Sequence, residues 1–329
     1  LSGGSNMHLM RAESPGPSVS KLVPRIKTTA LLLYSIYLVM TALEFVLLLF
    51  GGMSVFDAIN TAFATAGTGG FSVRNDGLAG YSDAVRMIVT VFMILFSFNF
   101  NVYFLLLSKK FKDALKVSEV WYYLAIIAAA TAVITVNIKG MFPSVGKAFR
   151  NAIFTVSSMI SSTGFTAVDF NLWPELSRTI IVLVMFIGAC TGSTGGGIKV
   201  YRIVILFKSM GKELHTLIHP KQVKKIRMDS HEIGHEVIRS VNVFMVCFIL
   251  VFVISLVCIS FEDYDLITNF TAVTTTINNI GPGLDLVGPT SNFGFFSSFS
   301  KIVLIFDMLA GRLELFPMLL LFAPVTWKK

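Results

Sequence analysis

The chain alternates long apolar stretches with short polar ones, and the stretch lengths predict its elements. Positions 31–50, 86–107, 121–138, 179–191, 241–260 and 302–323 are almost free of charge. Most approach the roughly 20 residues with which a helix crosses a bilayer core about 30 Å thick. Among them lie shorter segments, 54–66, 147–160 and 266–277, too short to cross. A half-length helix in this position enters the membrane and turns back. Irregular backbone at that depth persists only where protein buries it or where it lines a watery cavity.

Read as a cycle, the sequence repeats one unit three times: a long span, a short helix, a stop rich in Thr, Ser and Gly, and a second span. The first copy comprises 28–50, 54–66, 67–72 and 84–107. The second comprises 119–138, 147–160, 161–166 and 176–210, and the third 239–260, 266–277, 278–283 and 298–325. The predicted fold is an all-α integral membrane protein. Its segments are 1–27, a cytoplasmic lead-in, then units at 28–118, 119–238 and 239–329.

Composition agrees. Of 329 residues, 54% are hydrophobic and 14% charged, against about 25% charged in soluble domains, and mean hydropathy is +0.74. The net charge of +8 does not point to nucleic acid. The basic residues gather in short links, Arg11 to Lys27, Lys109 to Lys116 and Lys208 to Arg239, which marks those links as cytoplasmic. The link after 260 carries Glu262, Asp263 and Asp265 and suits the opposite face. Cys190, Cys247 and Cys258 lie in apolar segments and read as small buried hydrophobes, not as a disulfide framework. The polar opening Leu1 to Ser5 has no signal-peptide character.

The three stops align on one glycine each: Thr68-Gly69-Gly70, Ser162-Thr163-Gly164 and Asn279-Ile280-Gly281. A selectivity filter replaces an ion's hydration shell with backbone carbonyls. Turning successive carbonyls inward needs dihedrals that glycine visits freely. A glycine turn between helices is the plain alternative at any one site; three aligned sites, each behind a short helix, favour a pore. In the second span of the middle unit, Gly192-Ser193-Thr194-Gly195-Gly196-Gly197 interrupts the apolar run, and glycine's cost of about 1 kcal/mol per helical residue predicts an unwound loop or a packing kink there. Lys199 follows directly. Arg312 lies inside the last apolar span, where an ionised residue costs roughly 2.5–3.5 kcal/mol and therefore faces a cavity or a partner. Glu44, Asp307 and Glu314 are its candidate counter-charges.

At these residues the chain resembles the Trk/Ktr/HKT superfamily of potassium transporters, and in particular its bacterial TrkH type. The resemblance runs over nearly the whole chain. It rests on Arg11-Ala12-Glu13-Ser14-Pro15-Gly16-Pro17, on Gly188 to Lys199, on Asn278-Asn279-Ile280-Gly281-Pro282-Gly283 and on Gly311-Arg312-Leu313-Glu314. It implies four span–pore loop–span units around a pseudo-fourfold pore, of which three are present here, the chain entering at the end of the first. It implies a potassium filter at Thr68, Gly69, Gly70, Ser162, Thr163, Gly164, Asn279, Ile280 and Gly281. Gly192 to Gly197 with Lys199 become an intramembrane gate, and Arg312 an electrostatic barrier below the filter. Glycine at all three filters leans towards potassium over sodium. A homodimer in the bacterial inner membrane, seated on a cytosolic nucleotide-binding ring of the TrkA type, is also implied, with no cofactor on this chain. The basic links are candidate docking faces, or simply positive-inside topology. Three filters cannot close a four-sided ring, so these residues alone are expected not to conduct selectively.

Two enzyme-like patterns remain. His231-Glu232-Ile233-Gly234-His235 matches the H-E-x-x-H zinc-protease motif, which places two histidines on one helix face. An intramembrane zinc protease is the alternative function it suggests, although Gly234 weakens a helix there and a third ligand would have to come from His215, His219 or a distant acid. Gly192 to Lys199 fails as a phosphate loop, because Ile198 separates glycine from lysine and no Ser or Thr follows.

Overall fold

The computed structural model describes residues 26–222, 225–229, 231–313 and 315–321. The stretch Arg11 to Pro17, Glu314 and residues 322–329 lie outside these. The fold is helical apart from a two-stranded ribbon. Its first element, α1, is Ile26–Phe50, whose 25 residues rise about 37 Å at about 1.5 Å each. The short α2 follows at Val55–Ala66, then α3 at Asp83–Phe96, α4 at Phe100–Leu107 and the small α5 at Phe111–Leu115. The next group is α6, Ser118–Ile138, the short α7, Val145–Ile160, α8, Glu175–Ile187, and α9, Val200–Ile218. Strands β1, Arg227–Met228, and β2, His231–Glu232, pair antiparallel with Arg227 opposite Glu232. The last group is α10, His235–Ile259, the short α11, Leu266–Ile277, α12, Ser298–Arg312, and α13, Leu315–Leu321.

Among the described residues three helices, α1, α6 and α10, are long and apolar enough to cross a membrane, and α3 with α4 would add a fourth only if the two, bent by 88°, count as one span. Their outer faces carry apolar side chains: along α10, Val246, Ile249, Leu250, Val253, Ile254 and Val257 are 47–60% exposed. A soluble helix would present polar groups there, so these faces meet lipid.

The short helices start with caps. Ser54 Oγ accepts from Asp57 N, Ser144 Oγ from Lys147 N, and the Asp265 carboxylate from Ile267 N. Each satisfies an orphan amide at a helix start. Each short helix packs on the span before it, α2 on α1, α7 on α6 and α11 on α10. The second span of one group then packs on the short helix of the next, α3 on α7 and α8 on α11. Their inner ends are dry: Phe154 to Ile160 in α7 and Thr271 to Ile277 in α11 are all buried.

One element departs from expectation. The apolar run 84–107 predicts a continuous span, yet α3 and α4 meet at 88° across Ser97 to Asn99. The carbonyls freed by the break find tertiary donors. Cys190 N donates to Ser97 O at 3.1 Å, Tyr103 OH to Leu95 O at 2.7 Å, and Thr194 Oγ1 to Phe96 O at 3.3 Å. The last span also stops, at Leu313, before α13 begins.

Candidate permeation site

Each short helix ends in the same way. The first stop residue adopts a left-handed conformation: Thr68 at φ 49°, Ser162 at 56° and Asn279 at 55°. Its amide donates three residues back, Thr68 N to Thr65 O, Ser162 N to Met159 O and Asn279 N to Thr276 O, at 3.0–3.2 Å. The next amide reaches five back, Gly69 N to Ala64 O, Thr163 N to Ser158 O and Ile280 N to Thr275 O, at 2.7–3.0 Å. This is the Schellman helix terminus, which normally takes glycine at the left-handed position. Here the residues are Thr, Ser and Asn, and their side chains offset the strain by bonding to other elements. Thr68 Oγ1 donates to Thr194 O at 3.0 Å, Ser162 Oγ accepts from Gly196 N at 2.6 Å, and Asn279 Nδ2 donates to Met308 O at 3.0 Å.

Two positions on, the backbone is left-handed again, at Gly70, Gly164 and Gly281. Alternating left-handed and ordinary residues is a backbone that allows consecutive carbonyls to face the same side of the chain. The stops also crowd one another in order. A Cβ on Gly70 would stand 1.9 Å from Thr163 O, and one on Gly164 would stand 1.7 Å from Ile280 O. Beyond Gly281 the space is open, with nothing within 4 Å among the described residues.

The glycine-rich stretch leaves helical conformation as expected, between α8 and α9. Its ends are closed by Val200 N donating to Ala189 O at 3.1 Å. Its middle touches all three stops. Besides the bonds from Thr68 and to Ser162, a Cβ on Gly196 would come within 2.7 Å of Asn278 O, and one on Gly195 within 2.8 Å of Ser161 O. Lys199 is itself left-handed, and its Nζ donates to Gly195 O.

Arg312, at the end of α12, joins this cluster. Its Nη1 donates to Thr68 Oγ1 and to Thr194 O, both at 3.1 Å, and its Nη2 to Gly67 O at 2.9 Å. These partners are a hydroxyl and two carbonyls. Neither Glu44 nor Asp307 pairs with it: Asp307 accepts from Ser255 Oγ at 2.7 Å, and Glu44 is fully buried with neither carboxylate oxygen hydrogen-bonded among the described residues. Two further residues adjoin the site: Asn99, the N-cap of α4 in the α3–α4 break, and Glu119, buried at the head of α6 and hydrogen-bonded to it.

A cavity of about 160 Å³ lies between α3 and α7. Arg86, Lys147 and Arg150 line it along with Asp83, the wrong balance for a cation. It sits at the outer start of α7, the end away from the glycine stop.

The zinc motif does not form. His231 and Glu232 are in β2, whereas His235 opens α10, so the two histidines share no helix face. Glu232 is engaged by Lys225 at 2.9 Å and Arg227 at 3.4 Å. The hydrogen bond from Lys225 holds its carboxyl below the usual range. The rings of His215 and His219 lie against each other, tilted by 56° with centroids 5.0 Å apart. Among the described residues no three His, Cys, Asp or Glu side chains are placed to hold a metal.

Spans with lipid-facing apolar faces, half-length helices and glycine stops define a multi-span integral membrane protein of the re-entrant class. The comparisons carry this to a family. Residues 119–329 match the TrkH family, described as cation transport protein. The Trk system potassium uptake protein TrkH of Escherichia coli (strain K12) is 35% identical over 333 residues, covering 99% of this chain and 68% of that protein. The Trk system potassium uptake protein TrkG of the same strain is 30% identical over 333 residues, 100% of this chain and 68% of that one. The crystal structure of the potassium transporter TrkH from Vibrio parahaemolyticus superimposes with a TM-score of 0.87 at 33% identity, over 95% of this chain and 68% of that one. The chain belongs to the TrkH family.

Proposed function

We propose that this chain takes up potassium across the bacterial cytoplasmic membrane, through a filter made of the three stops. The observation that carries the reading is the shared backbone of Thr68 to Gly70, Ser162 to Gly164 and Asn279 to Gly281, with left-handed residues at both ends of each triplet. Carbonyls turned to one side at membrane depth need a partner, and a dehydrated cation supplies one. Units 28–118, 119–238 and 239–329 each contribute one triplet. The open side beyond Gly281 is where a fourth triplet closes the ring, so selective conduction needs that segment too.

Beneath the filter, Gly192 to Gly197 is the gate. Its bonds to the first two stops and to Arg312 hold it across the pathway, and Lys199 and Arg312 set a positive field there. The full transporter is a homodimer on a cytosolic TrkA-type nucleotide-binding ring, which docks on the basic links 109–116 and 208–239. The names of the relatives, which place them in a Trk system, support a partner subunit in general.

The test is rubidium-86 uptake into proteoliposomes holding the transporter with all four filter segments. Uptake should be suppressed by a tenfold excess of potassium and little affected by the same excess of sodium. Equal suppression by both ions would remove the potassium reading. No uptake at all would remove the transport reading.

A further inference from the structure

We infer that Glu119 is the hinge pin of the glycine-rich loop, a positioning residue that keeps both loop ends at one point while the middle of the loop opens and shuts. The inference rests on the loop being the gate. Glu119 is 2% exposed, on the first turn of α6. Its Oε1 accepts from Thr191 N at 2.6 Å and from Tyr201 N at 3.2 Å. Thr191 immediately precedes the loop, and Tyr201 is the second residue of the helix that follows it. One carboxylate oxygen therefore gathers both ends of a loop 72 and 82 residues away in sequence. Its Oε2 accepts from Asn99 Nδ2 at 3.3 Å, which joins the same point to the α3–α4 break.

The bonds divide by place. Those to Glu119 are at the ends of the loop; those to the stops and to Arg312 fall on Thr194 and Gly196, in its middle. The two end contacts share a single acceptor oxygen, Glu119 Oε1. Of the middle contacts, those from Thr68 and to Ser162 join neutral groups, and Arg312 adds a charged donor from a separate helix. When they release, the ends stay held and the loop swings as a flap about Thr191 and Tyr201. A carboxylate suits the role because it only accepts, and it faces three donors.

The substitutions have graded effects. In Glu119→Gln the amide oxygen still accepts from Thr191 and Tyr201, but the new NH2 faces Asn99 Nδ2. Asn99 cannot simply flip, because its Oδ1 already accepts from Asn101 N at 3.0 Å. Glu119→Ala removes all three bonds.

The experiment uses the full transporter with Ser193→Cys in a Cys247→Ser, Cys258→Ser background, Cys190 being buried. It measures resting rubidium uptake and the rate at which a charged methanethiosulfonate modifies the thiol introduced in the loop. Glu119→Ala should raise both at least fivefold and Glu119→Gln about twofold, with the rubidium-to-sodium preference unchanged. A cysteine placed instead at Ser72, beyond the first stop, should react at its original rate in both variants. If Glu119→Ala does not reach the membrane, the same readouts on Glu119→Gln decide. Original values for flux and for loop-thiol reactivity in the surviving variant would overturn the pin, as would a matching rise at position 72, which means general loosening. The gate reading has its own readout: if a bulky thiol reagent on the loop thiol leaves flux unchanged without any change at Glu119, the loop is not the gate. A flux change there with an inert Glu119→Ala removes the pin alone.

Discussion

Gly164→Ser should abolish selective uptake, with rubidium flux falling at least tenfold or losing its preference for potassium over sodium. Two effects add. The position is left-handed at φ 80°, which costs a residue with a Cβ about 1–2 kcal/mol. The second effect is larger: the new Cβ would lie 1.7 Å from Ile280 O, about half an ordinary contact distance. Either the third stop retreats or the second does, and in both cases the carbonyl ring changes size where the ion sits. Gly140 is the control, since nothing lies within 4 Å of a Cβ there, and Gly140→Ser should transport normally. A Gly164→Ser variant that matches the parent in flux and selectivity would reduce the stops to turns.

Arg312→Gln should raise flux, by about tenfold. The guanidinium fastens Thr194 of the loop to Gly67 and Thr68 of the first stop through three hydrogen bonds, so removing it frees the loop on that side. It also removes a positive charge from the path of the cation. At a separation of about 8 Å and an effective dielectric near 20, repulsion between two unit charges is about 2 kcal/mol. Glutamine keeps a donor and much of the bulk, so a rise in flux at constant abundance reports the charge and the fastening together. Arg312→Lys separates them: it keeps the charge and loses the forked geometry, and should give a smaller rise. Lower flux in both variants, with normal abundance in the membrane, would mean that Arg312 supports the open pathway.

Helix lengths were largely legible in the sequence, because apolar run lengths and caps are local. Ser54, Ser144 and Asp265 mark the starts of the short helices, and the glycine stops mark their ends. The unwound loop was legible too, since four glycines in six residues are incompatible with a stable helix. The break at Ser97 to Asn99 was not. Its one local mark is Asn99, whose Oδ1 caps α4 by accepting from Asn101 N, in an apolar run without Gly or Pro, and the donors that make the break tolerable, Cys190 N and Thr194 Oγ1, lie over 90 residues on in the chain. Arg312 stands out in the sequence by its cost in a span, but two of its three partners are backbone carbonyls, which leave no mark in a sequence, and the third is the Thr68 hydroxyl, 244 residues away. Glu119 escaped for a similar reason: a single acid at the head of a span looks like an ordinary interfacial residue. The H-E-x-x-H pattern points the other way, since a motif whose meaning depends on helical spacing falls here on a strand, a two-residue link and the first residue of a helix.

The most direct test of the filter is anomalous diffraction from crystals of the four-segment transporter grown with rubidium in place of potassium. The account predicts anomalous peaks among the carbonyl oxygens of Thr68 to Gly70, Ser162 to Gly164 and Asn279 to Gly281, which potassium soaks remove and sodium soaks do not. Rubidium ordered elsewhere in the membrane region, with these carbonyls bound to protein donors instead, would contradict it.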